Sequence, residues 1–88
     1  MMIEISRAFV RDTEPLPKKS KLVILEVIKE TQLAKIPIDI RDCTKLKGSD
    51  DLYRIRRGIY RMTFQYDGIT ATFKRVLPRG QIYKKHHL

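Results

Sequence analysis

Cysteine occurs once, at Cys43, so the chain has no intrachain disulfide and suits a reducing compartment such as the cytoplasm. No activating histidine is evident beside it, which argues against a cysteine nucleophile. No apolar run approaches the roughly 20 residues needed to span a bilayer. The N-terminus lacks the charged, apolar and small-residue stretches of a signal peptide, and no membrane partner is expected. The four glycines all sit at turns or breaks, so there is no glycine-rich phosphate loop. His86 and His87 are adjacent, their side chains diverge, and no Cys or carboxylate cluster stands at ligand spacing; neither metal nor cofactor is expected. Carboxylates are scattered and none pairs inside the basic half, which leaves a two-carboxylate mechanism without its parts.

What is present is positive charge on a folding background. The 88 residues form one domain, 1–88, and a 42% hydrophobic content separates the chain from disordered basic tails. The net charge of +9 is unevenly placed. Residues 1–33 carry 6 Lys/Arg against 5 Asp/Glu, whereas residues 34–88 carry 13 against 5. The positive field therefore belongs to the C-terminal half, where it draws nucleic acid, acidic protein or anionic membrane. Membrane is the weakest of these, because no basic amphipathic helix with a bulky apolar face is visible.

The segment from Leu52 to Phe64 alternates with period two about Gly58-Ile59 and reads as a β-hairpin with a type II′ turn. Pairing about that turn sets Ile55 opposite Met62 and Tyr53 opposite Phe64 on one face. The other face carries Arg56 opposite Arg61. Like charges directly across a strand pair are destabilising, so an anionic partner is the simplest reason for them. Asp67-Gly68 signals a second hairpin, with a type I′ turn, between Tyr60–Tyr66 and Ile69–Leu77. Its expected register pairs Tyr66 with Ile69, Phe64 with Ala71, Met62 with Phe73 and Arg61 with Lys74. The polar face then holds Arg54, Arg56, Arg61, Thr63, Gln65, Thr70, Thr72 and Lys74, with no Asp or Glu. Upstream, Met2–Ile5 reads as a strand and Ser6 as the N-cap of a short helix ending before Pro15. A longer helix runs over about Lys18–Leu33 with an apolar stripe of Leu22, Leu25 and Ile28. Residues 34–51 read as irregular or extended, with no repeat or linker anywhere. The expected fold is α+β, ordered β-α-α-β-β-β: an antiparallel sheet with two N-terminal helices on its apolar face.

Guanidiniums, lysines, one late tyrosine and two histidines make the inventory of a metal-free ribonuclease. Cleaving RNA through its own 2′-hydroxyl needs a base for the hydroxyl proton, cations for the phosphorane and an acid for the leaving 5′-oxygen. Arginine serves the second need and cannot serve the first. Three motifs, Lys45-Leu46-Lys47-Gly48, then Tyr53-Arg54-Ile55-Arg56 with Gly58 and Tyr60-Arg61, then Arg75-Val76-Leu77-Pro78-Arg79 with Ile82-Tyr83-Lys84, resemble the RelE/ParE toxin superfamily. Ile5-Ser6 and Phe9-Val10-Arg11-Asp12 resemble its opening strand and helix, so the likeness runs along nearly the whole chain.

The resemblance implies a toxin neutralised by a cognate antitoxin and, in the RelE branch, mRNA cleavage in the ribosomal A site by a cytoplasmic enzyme. Carried over by motif, Arg61 contacts the scissile phosphate, Arg54 and Arg56 fill the basic strand positions, and Arg79 and Tyr83 match the C-terminal arginine and the catalytic or stacking tyrosine. Lys45 and Lys47 match a basic segment holding RNA backbone, with Lys74, Lys84 and Lys85 as further RNA-binding positions. Some relatives have Lys where Arg54 and Arg56 stand, and many have His where Pro78 stands. The base is therefore Tyr83, one of His86 and His87, or a ribosomal group, with Tyr83 preferred. A ParE-like toxin acting on DNA gyrase and a passive RNA- or ribosome-binding module remain as alternatives.

Overall fold

The computed structural model describes residues 1–78. In chain order the elements are Met2–Ile5 (β1), Arg7–Thr13 (α1), Lys18–Leu33 (α2), a 3₁₀ turn at Pro37–Asp39, Cys43–Lys45 (β2), Leu52–Arg57 (β3), Tyr60–Tyr66 (β4) and Thr70–Pro78 (β5). They build one five-stranded sheet in the order β1-β5-β4-β3-β2. The α+β class and both helices match the expectation. The sheet, however, is mixed: β1 lies parallel to β5, with Met2 beside Thr70 and Ile5 beside Phe73. A parallel pair needs a long crossover, and the two helices and the intervening strands supply it. Strand β2, inside the stretch read as irregular or extended, adds an antiparallel edge to β3.

The first hairpin has the expected register throughout, including Tyr53 opposite Phe64, Ile55 opposite Met62 and Arg56 opposite Arg61. Gly58 takes φ +59°, as the first position of a type II′ turn requires. The second hairpin departs from the expected register. Asp67 turns its carboxylate onto the chain: Oδ1 accepts from the backbone N–H of Thr70 at 2.8 Å and of Ile69 at 2.9 Å. Those bonds, Thr70's first, hold the Asp67 carboxyl below the usual carboxylate range. Asp67 N–H in turn donates to the Thr70 carbonyl at 3.3 Å, so the chain reverses over Gly68-Ile69 and Tyr66 meets Ala71. A slip of two residues preserves the faces, which is why the alternation alone could not detect it.

Further along, the ladder slips again: Phe64 pairs with Phe73, but Thr63 pairs with Arg75, leaving Lys74 as the extra residue of a β-bulge. Without the bulge Arg75 would face the core at Met62. With it Val76 takes that place at 1% exposure. Arg61 consequently lies opposite Leu77, and not opposite Lys74 as the simple register implies.

The helices cover the face formed by Ile55, Tyr60, Met62, Phe64, Phe73 and Val76. On α2 the residues turned inward are Ile24, Val27 and Thr31, whereas Leu22 and Leu25 are about half exposed, at 53% and 52%. Apolar residues occupy most of positions 22–28, so the stripe is wide enough to be centred on either set. Polar contacts decide it. Tyr60 and Ser20 are hydroxyl-bonded at 3.1 Å, and Thr31 returns its hydroxyl to the Val27 carbonyl at 2.8 Å. Helix α1 is capped by Ser6, whose Oγ accepts from Phe9 N–H at 3.1 Å and donates to the Lys74 carbonyl at 2.9 Å.

Asp12 completes that junction. Its carboxylate accepts from Arg75 Nε (2.8 Å), Arg75 Nη2 (2.9 Å) and the backbone N–H of Val76 (3.0 Å), just past the bulge. Asp12→Asn is expected to lower stability by about 1.5–3 kcal/mol, the usual worth of hydrogen bonds to a charged group. Urea unfolding measures it, and a midpoint unchanged from wild type would show that the clamp contributes nothing.

Candidate functional site

The face opposite the helices carries Arg54 and Arg56 from β3 and Arg61, Thr63 and Gln65 from β4. Strict alternation along both strands, fixed by the apolar residues facing the helices, sends all five the same way. Arg56 and Arg61 are direct cross-strand partners at the Gly58 end of the hairpin. They line a polar groove of about 210 Å³ together with Gly58 and Asp42. Arg56 is exposed at the rim, whereas Arg61 retains only 7% of its surface. Two cations at one concave point can take an anion bidentately from each side.

The remaining sequence candidates are distributed around this groove. Arg54 donates from Nη2 to Thr44 Oγ1 at 3.2 Å, one row further from the turn. Lys74 sits in the bulge, two strands from Arg56. Lys47 is exposed in the loop after β2. Lys45 lies across from Tyr53 and holds its ammonium 5.9 Å from that ring's centroid. That places Lys45 on the helix side of the sheet edge, beside an apolar cavity of about 570 Å³ lined by Ile36, Pro37, Cys43 and Tyr66 among others, and apart from the arginine groove. Burial pushes the Cys43 thiol up to about 11, so it stays protonated and poorly nucleophilic. Arg79, Tyr83, Lys84, Lys85, His86 and His87 lie outside the described residues.

Acidic residues do approach this face, which the sequence pattern did not indicate. Asp51, just before β3, accepts from Gln65 Nε2 at 2.7 Å and from Ser49 Oγ at 3.2 Å. The Gln65 bond first, and Lys74's charge last, hold its carboxyl below the usual range. Asp42 reaches the groove itself from a backbone at φ +59°. No motif marks it in the sequence; the only hint is that aspartate tolerates left-handed backbone better than most residues. Arg57, next to Arg56, points the other way. Its guanidinium pairs with Glu30 of α2 at 2.6 Å and donates to the Arg41 carbonyl at 2.9 Å. Among the described residues no group of three His, Cys, Asp or Glu side chains comes together. No described helix is long and apolar enough to cross a membrane.

No protein-family model matches the chain. Two helices on one face of a five-stranded sheet is an α+β fold that this chain shares with proteins solved as antitoxin–toxin complexes. The chain superposes on a chain of the RelB–RelE antitoxin–toxin complex from Methanococcus jannaschii with a TM-score of 0.78 and 33% identity, covering 92% of this chain and 95% of that one. The archaeal RelE–RelB complex from Pyrococcus horikoshii OT3 matches with a TM-score of 0.73 and 27% identity, over 91% and 96% of the two chains. In sequence, Toxin RelE3 of Methanocaldococcus jannaschii is 37% identical over 87 residues, 94% of this chain and 96% of that protein. The chain belongs to the RelE toxin family.

Proposed function

We propose that this RelE-family chain is a ribosome-dependent mRNA endoribonuclease that cleaves by attack of the RNA 2′-hydroxyl without a catalytic metal. The observation that carries the reading is the cross-strand pair Arg56–Arg61 in one groove, on a sheet face turned away from the core. Like charges directly across a strand pair are destabilising, so an anionic ligand is the simplest reason for the placement. A phosphate between two guanidiniums is stabilised by both, and more so when it becomes a dianionic phosphorane. Arg54 then steers the adjoining backbone, with Lys47, Lys74, Lys84 and Lys85 adding to the field. Arg79 and Tyr83, carried over from the family motif, complete the set as a second phosphate ligand and a proton-transfer or stacking group.

Two relatives of known structure were solved as RelB–RelE complexes. By that likeness the partner of this chain is a cognate antitoxin. A +9 toxin invites an acidic or amphipathic segment that packs on the sheet or displaces residues 81–88, keeping Arg79 and Tyr83 from RNA. Inhibition of this kind is steric and electrostatic and leaves both proteins covalently unchanged.

Adding the purified chain to a translation extract with labelled mRNA tests the assignment. Codon-spaced cuts that stop when antitoxin is added are the expected result. Intact RNA with gyrase-dependent DNA breaks would identify a gyrase poison instead, and binding without damage would identify a passive ribosome-binding module.

A further inference from the structure

One wall of the arginine groove is the loop before β2, which brings Asp42 beside Arg56, Gly58 and Arg61. Two bonds fasten that loop to β3. The first is backbone to backbone: the Arg56 N–H donates to the Asp42 carbonyl at 3.1 Å. Asp42 then takes φ +59°, outside the extended conformation that a strand ladder requires. The second bond comes from a side chain. Arg57 Nη2 donates to the carbonyl of Arg41, one residue back, at 2.9 Å. The same guanidinium is anchored on Glu30 of α2, from Nη1 to Oε2 at 2.6 Å and from Nη2 to Oε1 at 3.4 Å. The Arg57 side chain is only 10% exposed, so water competes little for these bonds.

One planar fork therefore joins a helix, a strand and the groove wall. Arg57 follows Arg56 along β3, and strand alternation sends the two side chains to opposite faces. Arg56 faces the groove, while Arg57 reaches back under the sheet to α2. Any movement of the Arg41–Asp42 loop, or of the turn end of β3, changes the width of the groove at Arg56 and Arg61. We propose that Arg57, braced by Glu30, is the positioning residue of the arginine groove, an inference that rests on the ribonuclease reading above. It holds the wall loop and the end of β3 in the arrangement that presents Arg56 and Arg61 to one phosphate. The bond to the Arg41 carbonyl is the part that reaches the groove wall; the ion pair with Glu30 keeps the donor aimed at it. Arginine suits this task better than lysine, because its rigid fork serves two acceptors in a set geometry.

Arg57→Met keeps the side chain's bulk and removes its donors, whereas Arg57→Lys keeps the charge opposite Glu30 and loses the fork. With the full chain at saturating concentration on mRNA-programmed ribosomes, Arg57→Met is expected to slow the single-turnover rate constant by about 10²-fold, the usual cost of misplacing a group by roughly 1 Å. Arg57→Lys should slow it by a smaller factor. Partial unfolding would lower the concentration of active protein and leave the saturating rate constant unchanged, so that constant reads positioning alone. The exchanged pair, Glu30→Arg with Arg57→Glu, separates the two bonds. It restores an ion pair between α2 and β3, yet a carboxylate cannot donate to the Arg41 carbonyl. Its urea midpoint should recover toward wild type relative to Arg57→Met while its rate constant stays low. A wild-type rate constant in folded Arg57→Met or Arg57→Lys, or one that recovers with the midpoint in the exchanged pair, would overturn the proposal and leave the ribonuclease reading standing. Wild-type protein that leaves mRNA intact would overturn that reading, and this inference with it.

Discussion

Arg61→Ala is expected to slow single-turnover cleavage by about 10²–10³-fold, the usual cost of removing one donor aimed at transition-state charge. The size of the effect follows from where the side chain sits. Arg61 is on the central strand of the sheet's hairpin region, opposite Arg56 on one side and Leu77 on the other, and is only 7% exposed. A guanidinium already ordered in the free protein loses little entropy on meeting the phosphate and needs little reorganisation in the reaction. Arg56, exposed at the rim, has more freedom to lose, so Arg56→Ala should cost less than Arg61→Ala. The fold should survive, because the core side of β4 is Met62 and Phe64, both fully buried and untouched by the change. A folded Arg61→Ala protein that cleaves at nearly the wild-type rate would remove the groove from the mechanism.

Tyr83→Phe carries the second large expectation, a loss of about 10²–10⁴-fold if the phenol transfers a proton. A tyrosine that only stacks on a base would keep most of its activity as phenylalanine. An unchanged rate would move proton donation to His86, His87 or the ribosome, and substituting both histidines would decide among them. Deleting residues 79–88 should likewise abolish cleavage while the remainder still folds, since the two helices, five strands and core cluster of the described residues lie upstream. Circular dichroism and a thermal melt of the truncated chain check the second half of that statement.

The first hairpin was legible in the sequence because period-two alternation and one glycine turn fix its register with nothing left to choose. The second was legible only as a hairpin. Asp67 looked like the first residue of a two-residue turn, but its carboxylate satisfies the N–H groups of Ile69 and Thr70 and moves the turn along the chain. The bulge at Lys74 is a packing decision: a basic pair, Lys74-Arg75, interrupts the alternation, and one extra residue keeps Arg75 out of the core. Lys74 and Arg75 therefore do not extend the Arg56–Arg61 row, which ends at Leu77. Strand β1 carries no mark of its partner, so its parallel docking on β5 could not be read from four residues. The place of Asp42 beside the groove was hidden for a similar reason. It depends on a loop conformation set by backbone contacts of Asp42 to Arg56 and of Arg41 to Arg57, residues well separated from that loop in sequence. Arg56 and Arg61, by contrast, were placed by the hairpin alone.

The central claim is that the arginine groove turns the RNA's own 2′-hydroxyl into the nucleophile. Products from mRNA-programmed ribosomes treated with the full chain can be assayed for their end groups, a measurement indifferent to the Mg²⁺ that ribosomes themselves need. A 2′,3′-cyclic phosphate, or the 3′-phosphate it opens to, paired with a 5′-hydroxyl on the downstream fragment is the result this account predicts. A 3′-hydroxyl paired with a 5′-phosphate would mean that water or another external nucleophile made the cut, and would contradict it.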